Sequence, residues 1–201
     1  MYSLKSTLYT IRKKRSAYYA EELYVALQLT KSLPHREYAV ISDLLLPNDG
    51  PIRTSQIDHL VVSTHGIFCI ETKSHKGWIL GSKVRKVFTQ ALYRSNYRIT
   101  PNPVEQNNSH IKTLKGLIGD NLKAPIVNIV VFPSAEKFFI NGYENVGSVN
   151  DMIDSVFKHS EKIYSYNEAS QIIETVCRYN FKKPIEHVKH IERVRAVHMH
   201  A

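Results

Sequence analysis

The sequence has little cysteine, few acidic residues and no long apolar run. Of its 201 residues only Cys69 and Cys177 are cysteines, too few for a disulfide scaffold or a four-cysteine zinc site. No stretch approaches the ~18 apolar residues of a membrane-spanning helix, and Arg12-Lys13-Lys14-Arg15 interrupts the one N-terminal candidate. The chain therefore reads as a soluble, cytoplasmic protein with no membrane partner. It has no internal repeat and no low-complexity tract. Eighteen Asp and Glu stand against 27 Lys and Arg, a formal charge of +9 with His neutral. A basic surface concentrates polyanions, which directs attention to phosphate polymers. With 43% hydrophobic and 22% charged residues, the chain can bury an ordinary core, and its length favours one domain with at most a helical appendage.

Residues 1–15 carry five basic side chains and no acidic one, an exposed arm or the start of a helix that either is simply solvated or touches backbone phosphates. Over residues 16–33 the pattern is helical. Tyr19, Leu23, Ala26 and Leu27 form a stripe, Val25 and Leu29 widen it, and Pro34 ends it. Strand-like segments follow at 36–46, 56–63 and 67–73, punctuated by Pro47-Asn48-Asp49-Gly50-Pro51 and Thr64-His65-Gly66. Residues 77–90 hold one or two more strands around Gly81. Asn102-Pro103 opens a helix that runs to Ile118, with Val104, Ile111, Leu114 and Ile118 inward and Gly119 closing it. The apolar run 126–132 reads as a strand buried on both faces. Helices are expected at 150–159, 167–179 and 184–197, the last with His187 and His190 exposed. This order implies an α/β layered domain with a mixed sheet.

The segment richest in chemistry is Gln56-Ile57-Asp58-His59, Val61-Val62, Gly66 and Ile70-Glu71-Thr72-Lys73. Two strands joined by a tight turn at Thr64-His65-Gly66 make an antiparallel hairpin. If Thr64 and His65 are the loop residues, Asp58 faces Glu71; if the loop is His65-Gly66, Asp58 faces Lys73. Glu71 and Lys73 share a face because strand side chains alternate, so the three converge in either register. Two opposed carboxylates among apolar neighbours repel unless something neutralises them. A hard divalent cation held by Asp58, Glu71 and the Thr72 carbonyl is the natural compensation, with room left for water and phosphate. Lys73 beside it would orient or deprotonate a water, or stabilise phosphorane-like charge. The competing reading is a solvated Asp/Glu/Lys stripe on an edge hairpin, which needs no metal.

These residues, with His65-Gly66-Ile67-Phe68, Lys76-Gly77-Trp78-Ile79 and Gly81, resemble the core of the nuclease-related domain (NERD) family. Asn102-Pro103-Val104-Glu105-Gln106-Asn107 and His110 are similar to that family's Asn-Pro-x-x-Gln helix start, and Val130-Val131-Phe132 to its following strand. The resemblance spans residues 19–133. It implies a PD-(D/E)xK, restriction-endonuclease-like layered core with a central mixed sheet flanked by helices. Residues 16–135 would form that core, and 136–201 a mainly helical C-terminal extension packed on the same domain. It makes Asp58 and Glu71 metal ligands, Lys73 the active-site lysine and Gln106 the polar residue lent by the helix. Glu22 matches the glutamate of the family's first helix, although Glu21 stands where the family has Gly. Glu22 would complete a second metal site or bind through water.

The implied function is a Mg²⁺- or Mn²⁺-dependent nuclease that hydrolyses phosphodiester bonds in DNA. The alternative is a nuclease-fold module that binds nucleic acid, or assists another enzyme, without cutting. The intact Asp58/Glu71/Lys73 set favours the enzyme, since a degenerate domain would be expected to have lost one of the three. His59, on the strand face opposite Asp58, reads as a packed histidine and not a base. Gln90 is the lesser rival of Gln106. Trp78 reads as half-buried sheet packing in preference to a base-stacking platform. His187 and His190 read as a solvated face in preference to a metal site, and Cys69 as a buried, inert thiol.

Overall fold

A computed structural model describes residues 17–50, 52–92, 96–181 and 190. In chain order the described elements are α1 (Ala17–Ser32), β1 (Tyr38–Pro47), β2 (Thr54–Ser63), β3 (Gly66–Thr72), β4 (Gly77–Ser82), β5 (Val87–Leu92), β6 (Asn96–Pro101), α2 (Pro103–Ile118), β7 (Val127–Val131), β8 (Ala135–Asn141), β9 (Val146–Gly147), α3 (Val149–Phe157) and α4 (Tyr166–Tyr179). A single 3₁₀ turn, Gly119–Asn121, follows α2.

The apolar meander β1–β2–β3 is antiparallel. β3 then pairs in parallel with β7, and β7 in parallel with β9, giving a five-stranded mixed sheet in the order β1-β2-β3-β7-β9. Every residue of β3 is buried, because helices cover both faces of the sheet. On one face α2 and α4 contribute Ile111, Leu114, Ala169, Ile172 and Val176 against Leu60, Val62, Ile67 and Cys69. On the other, α1 and α3 contribute Val25, Leu29, Met152 and Val156 against Val61, Phe68 and Ile70. A second mixed sheet, ordered β6-β5-β4-β8, joins through Ile79 and Phe88 packed with Val104, Val130 and Phe132. This mixed α/β architecture is consistent with a restriction-endonuclease-like core. Among the described residues no helix is long and apolar enough to cross a membrane.

The helix starts have local causes. The Asn102 side chain accepts from the Val104 N–H, with Pro103 in the first turn of α2, where a missing N–H costs nothing. Ser148–Asp151 and Ser165–Glu168 form capping boxes for α3 and α4, each cap typically worth ~1 kcal/mol. Gly77 joins the two sheets at φ 77°, where a Cβ would lie 2.5 Å from the Ala91 carbonyl oxygen. Only glycine takes that corner without strain.

Several expectations are corrected. The buried stripe of α1 is Val25, Ala26 and Leu29, continued by Leu33 just past its end, whereas Leu27 is 57% exposed. Residues i, i+4 and i+8 carry the face, and Leu27 falls across the helix from it. β6, β8 and β9 are strands that the pattern did not reveal: β8 reads Ala-Glu-Lys-Phe-Phe-Ile-Asn, and an apolar residue on its outer face breaks the alternation. The arm around Arg12–Arg15 and the helix expected at 184–197, with His187, lie outside the described residues. His190 lies with its Nδ1 2.8 Å from Thr54 Oγ1, a contact with β2 where a solvated face was expected.

Phe88 is fully buried and its ring lies against Gly81, where an added Cβ would come within 2.5–2.7 Å of ring carbons. Gly81→Ala is expected to cost about 1–3 kcal/mol by overpacking, with partial recovery when Phe88→Leu is added. Urea unfolding of the three variants checks this; a Gly81→Ala protein as stable as wild type would contradict the packing.

Candidate active site

The β2–β3 ladder pairs Ser63 with Gly66 and ends at His59 with Ile70. The loop is therefore Thr64-His65, and the register, carried one residue further, sets Asp58 opposite Glu71. Asp58 is unpaired on both sides of β2. The β1–β2 partners skip from Ser42–His59 to Leu44–Ile57, and Asp43, which would face Asp58, has φ 54°. In the gap so opened, the Thr72 N–H donates to Asp58 Oδ2 at 2.8 Å. A strand end that opens in this way frees backbone donors for side chains instead of a neighbouring strand.

Glu71 is buried, yet two groups reach it, each held by a further side chain. Lys73 Nζ lies 2.7 Å from Glu71 Oε1 and donates to Gln106 Oε1 at 2.8 Å. His110 Nε2 lies 3.4 Å from Glu71 Oε2, longer than a well-formed hydrogen bond, and its Nδ1 is 2.7 Å from Ser55 Oγ. Gln106 and His110 are four residues apart on α2 and so share a helix face. α2 is fixed by a buried amide network. Asn107 Nδ2 donates to the Cys69 carbonyl (2.9 Å) and to Asn128 Oδ1 (2.7 Å), with the Ile129 carbonyl a longer, shared acceptor at 3.2 Å, and the Cys69 thiol donates to Asn107 Oδ1 (3.0 Å). Asn128 in turn donates to the Val104 carbonyl and to Asn108 Oδ1. Each of these groups would be costly to bury unpaired.

The two carboxyls have opposite proton affinities. Burial, then the negative charges of Glu71 and Glu22, push the Asp58 carboxyl well above its ordinary range, against the Thr72 N–H and Lys73. Burial also opposes ionisation of Glu71, but His110 and Lys73 outweigh it and hold that carboxyl below its usual value. The pair thus divides into Asp58, which holds its proton more tightly than an ordinary carboxyl, and Glu71, which gives its proton up more readily. Burial, partly offset by Glu71, lowers His59 to about 3. Its Nδ1 lies 2.9 Å from Ser42 Oγ, so it is a neutral, packed histidine, as the sequence suggested. Burial, Glu71 and Asp58 raise the Cys69 thiol, which leaves little thiolate to react.

Asp58, Glu71, Lys73 and Gln106 are therefore brought together as the sequence reading placed them. Glu22 lines a small cavity beside Asp58 and His59 with Tyr19 and Asp43, while Glu21 accepts from the Ser134 hydroxyl. Gln90 is turned away, donating to the Lys76 carbonyl at 2.8 Å. Ser55 and Asn128 carried no signal, since small polar residues on strands are ordinarily solvated, and Asn107 stood in the helix-start motif with no role attached to it. Among the described residues, no three His, Cys, Asp or Glu side chains form a metal-binding group. A cation here would rest on the carboxylate pair, with backbone and water oxygens completing its ligands, a donor set suited to a hard ion.

The profile of the nuclease-related domain family matches residues 17–133. The chain is also similar to an uncharacterized protein of Bacillus anthracis, 31% identical over 179 residues that cover 86% of this chain and 82% of the relative. No solved structure gives a significant match.

The Asp58 shift has a consequence for stability. A raised folded-state pKa means that the native protein holds this proton more tightly than the unfolded chain. Metal-free stability from this group is full below the ordinary value of 3.8 and is lost as pH rises through the raised one. Glu71 acts oppositely, its contribution being lost only as pH falls below 4.5. Asp58→Asn keeps an acceptor for the Thr72 N–H and removes the buried charge. In chelator, wild type should lose thermal stability relative to Asp58→Asn as pH rises from 3.8 through the raised Asp58 value; parallel melting curves would contradict the shift.

Proposed function

From the membership of this chain in the nuclease-related domain family of the restriction-endonuclease-like superfamily, we propose that it is a divalent-metal-dependent nuclease hydrolysing phosphodiester bonds in DNA. The observation that carries this reading is the buried Asp58–Glu71 pair with Lys73 2.7 Å from Glu71 and tied to Gln106. Mg²⁺ or Mn²⁺ on Asp58, Glu71 and the Thr72 carbonyl would neutralise charge on the scissile phosphate and acidify a water. The protein's own residues do the rest. Lys73, with 16% of its side chain exposed, keeps its ammonium within reach of a phosphate oxygen or an attacking water. Gln106 accepts from Lys73 and steadies it in that position. His110, backed by Ser55, orients Glu71. Glu22 adds negative charge beside Asp58 and would serve a second cation directly or through water. The net charge of +9 draws in a polyanionic substrate.

The Glu71–Lys73 contact favours one other reading. A lysine that already neutralises the carboxylate needs no metal, as in a module that binds nucleic acid without cutting it. Cleavage of linear, circular, single- and double-stranded DNA with and without Mg²⁺ or Mn²⁺ separates the two. The nuclease reading predicts metal-dependent cutting that falls about 10²–10³-fold in Lys73→Ala with metal affinity kept, whereas Asp58→Asn loses both. Wild-type cleavage by Lys73→Ala would contradict the role of the lysine. DNA binding without cleavage under any divalent metal would leave the accessory module standing.

A further inference from the structure

The outer face of the second sheet is apolar and aromatic, and no described residue covers it. Pairing puts Trp78 beside Lys137 and Ala91, Leu80 beside Phe139 and Thr89, and Tyr97 and Ile99 beside Ala91 and Thr89. These side chains therefore share one face across all four strands. Its opposite face is buried through Ile79 and Phe88. On the outer side Trp78 is 44% exposed, Phe139 53%, Tyr97 67% and Ile99 74%. Exposed aromatic rings spread over one face are an unusual expense for a protein surface. The Trp78 ring lies 5.6 Å from Phe139 at a tilt, with Lys137 Nζ 5.1 Å from its centroid.

Charge identifies the occupant. Lys137 stands on the face beside Trp78, and the β4–β5 segment that borders it carries Lys76, Lys83, Arg85 and Lys86 with no acidic residue between 74 and 101; Glu136 of β8 points to the opposite face from Lys137. A protein partner or a second copy would meet these cations with repulsion or need an acidic patch of its own. A strand of nucleic acid satisfies both features, because its bases stack on aromatic rings while its phosphates meet the cations. A duplex hides its base faces and would leave the rings unused. Only Ser74, His75 and Lys76 separate Lys73 from β4, so Trp78 lies within about 17 Å of Lys73, a reach that one bound strand of nucleic acid can span. We infer that the outer face of the β6-β5-β4-β8 sheet is a stacking platform for single-stranded DNA that leads to the Asp58/Glu71/Lys73 site. The choice of DNA rests on the function proposed above.

Trp78 is the chain's single tryptophan, so its fluorescence reports the platform alone. The full-length protein, held in chelator to prevent cutting, is titrated with oligothymidylate, a duplex of equal length and oligouridylate, and binding is read in parallel by anisotropy of labelled oligonucleotide. The expected result is saturable quenching by oligothymidylate, little by duplex, and a Kd at least about fivefold weaker in Trp78→Ala and in Phe139→Ala, the loss of one stacked base. Both rings are exposed, and unchanged melting temperatures would show the variants folded. Unaltered Kd in both variants with no quenching would overturn the platform, as would a concentration-dependent Trp78 signal accompanied by a doubled mass in sedimentation. Tighter binding of oligouridylate would overturn the assignment to DNA. Cleavage with metal is scored separately: a nuclease without quenching sinks only the platform, and quenching without cleavage sinks only the nuclease.

Discussion

Two carboxylates held within one buried hairpin cannot both ionise freely, and the structure around Asp58 and Glu71 is organised by that conflict. A two-residue loop at Thr64-His65 fixes the register at the far end, and a slip of one residue would turn every side chain of β3 to the other face. The pair is separated in proton affinity by what each oxygen meets. Asp58 receives one backbone N–H and feels Glu22 and Glu71. Glu71 has Lys73 on one oxygen and His110 near the other. Isolated burial of such charges would be strongly destabilising; partial neutralisation by lysine, and a tighter hold on its proton by aspartate, are the metal-free compromise.

The shell that holds this compromise comes chiefly from one helix. α2 starts at a cap made by Asn102, whose amide also donates to the Arg85 carbonyl and the Tyr143 hydroxyl, so the helix start is tied to the second sheet. Asn107 then locks the helix onto β3 and β7 through the Cys69 and Ile129 carbonyls and Asn128. With the start and middle fixed, Gln106 and His110 have no freedom to drift from Lys73 and Glu71. The parallel pairing of β3 with β7, which a crossover of helix-length chain makes possible, is what brings Asn107 and Asn128 together.

What the sequence made legible was the chemistry carried along strands of strict alternation. Asp58, Glu71 and Lys73 could be placed together because the parity of a hairpin survives uncertainty in its loop, and α2 could be bounded because Asn102, Pro103 and Gly119 each have one helical use. The face of α1 was misjudged at Leu27, since an apolar residue on a helix carries no label for which side is covered. β8 was hidden because Phe139 on its outer face follows Phe138 and erases the alternation by which a strand is recognised. β6 was hidden because its apolar residues, Tyr97 and Ile99, face outward while its polar Arg98 and Thr100 face the body of the protein. Ser55, Asn107 and His110 act through distances that only the fold creates. The feature that obscured the second sheet, its apolar outer face, is the same one that suggests a use for it.

The proposed nuclease requires that a cation on the Asp58–Glu71 pair displace the proton that Asp58 holds more tightly than an ordinary carboxyl. Calorimetric titration with Mn²⁺ near neutral pH, in two buffers of different ionisation enthalpy, measures proton release directly. The account predicts net proton release on binding in the wild type and its disappearance in Asp58→Asn. Mn²⁺ binding with no proton release, or with the same release in Asp58→Asn, would contradict it.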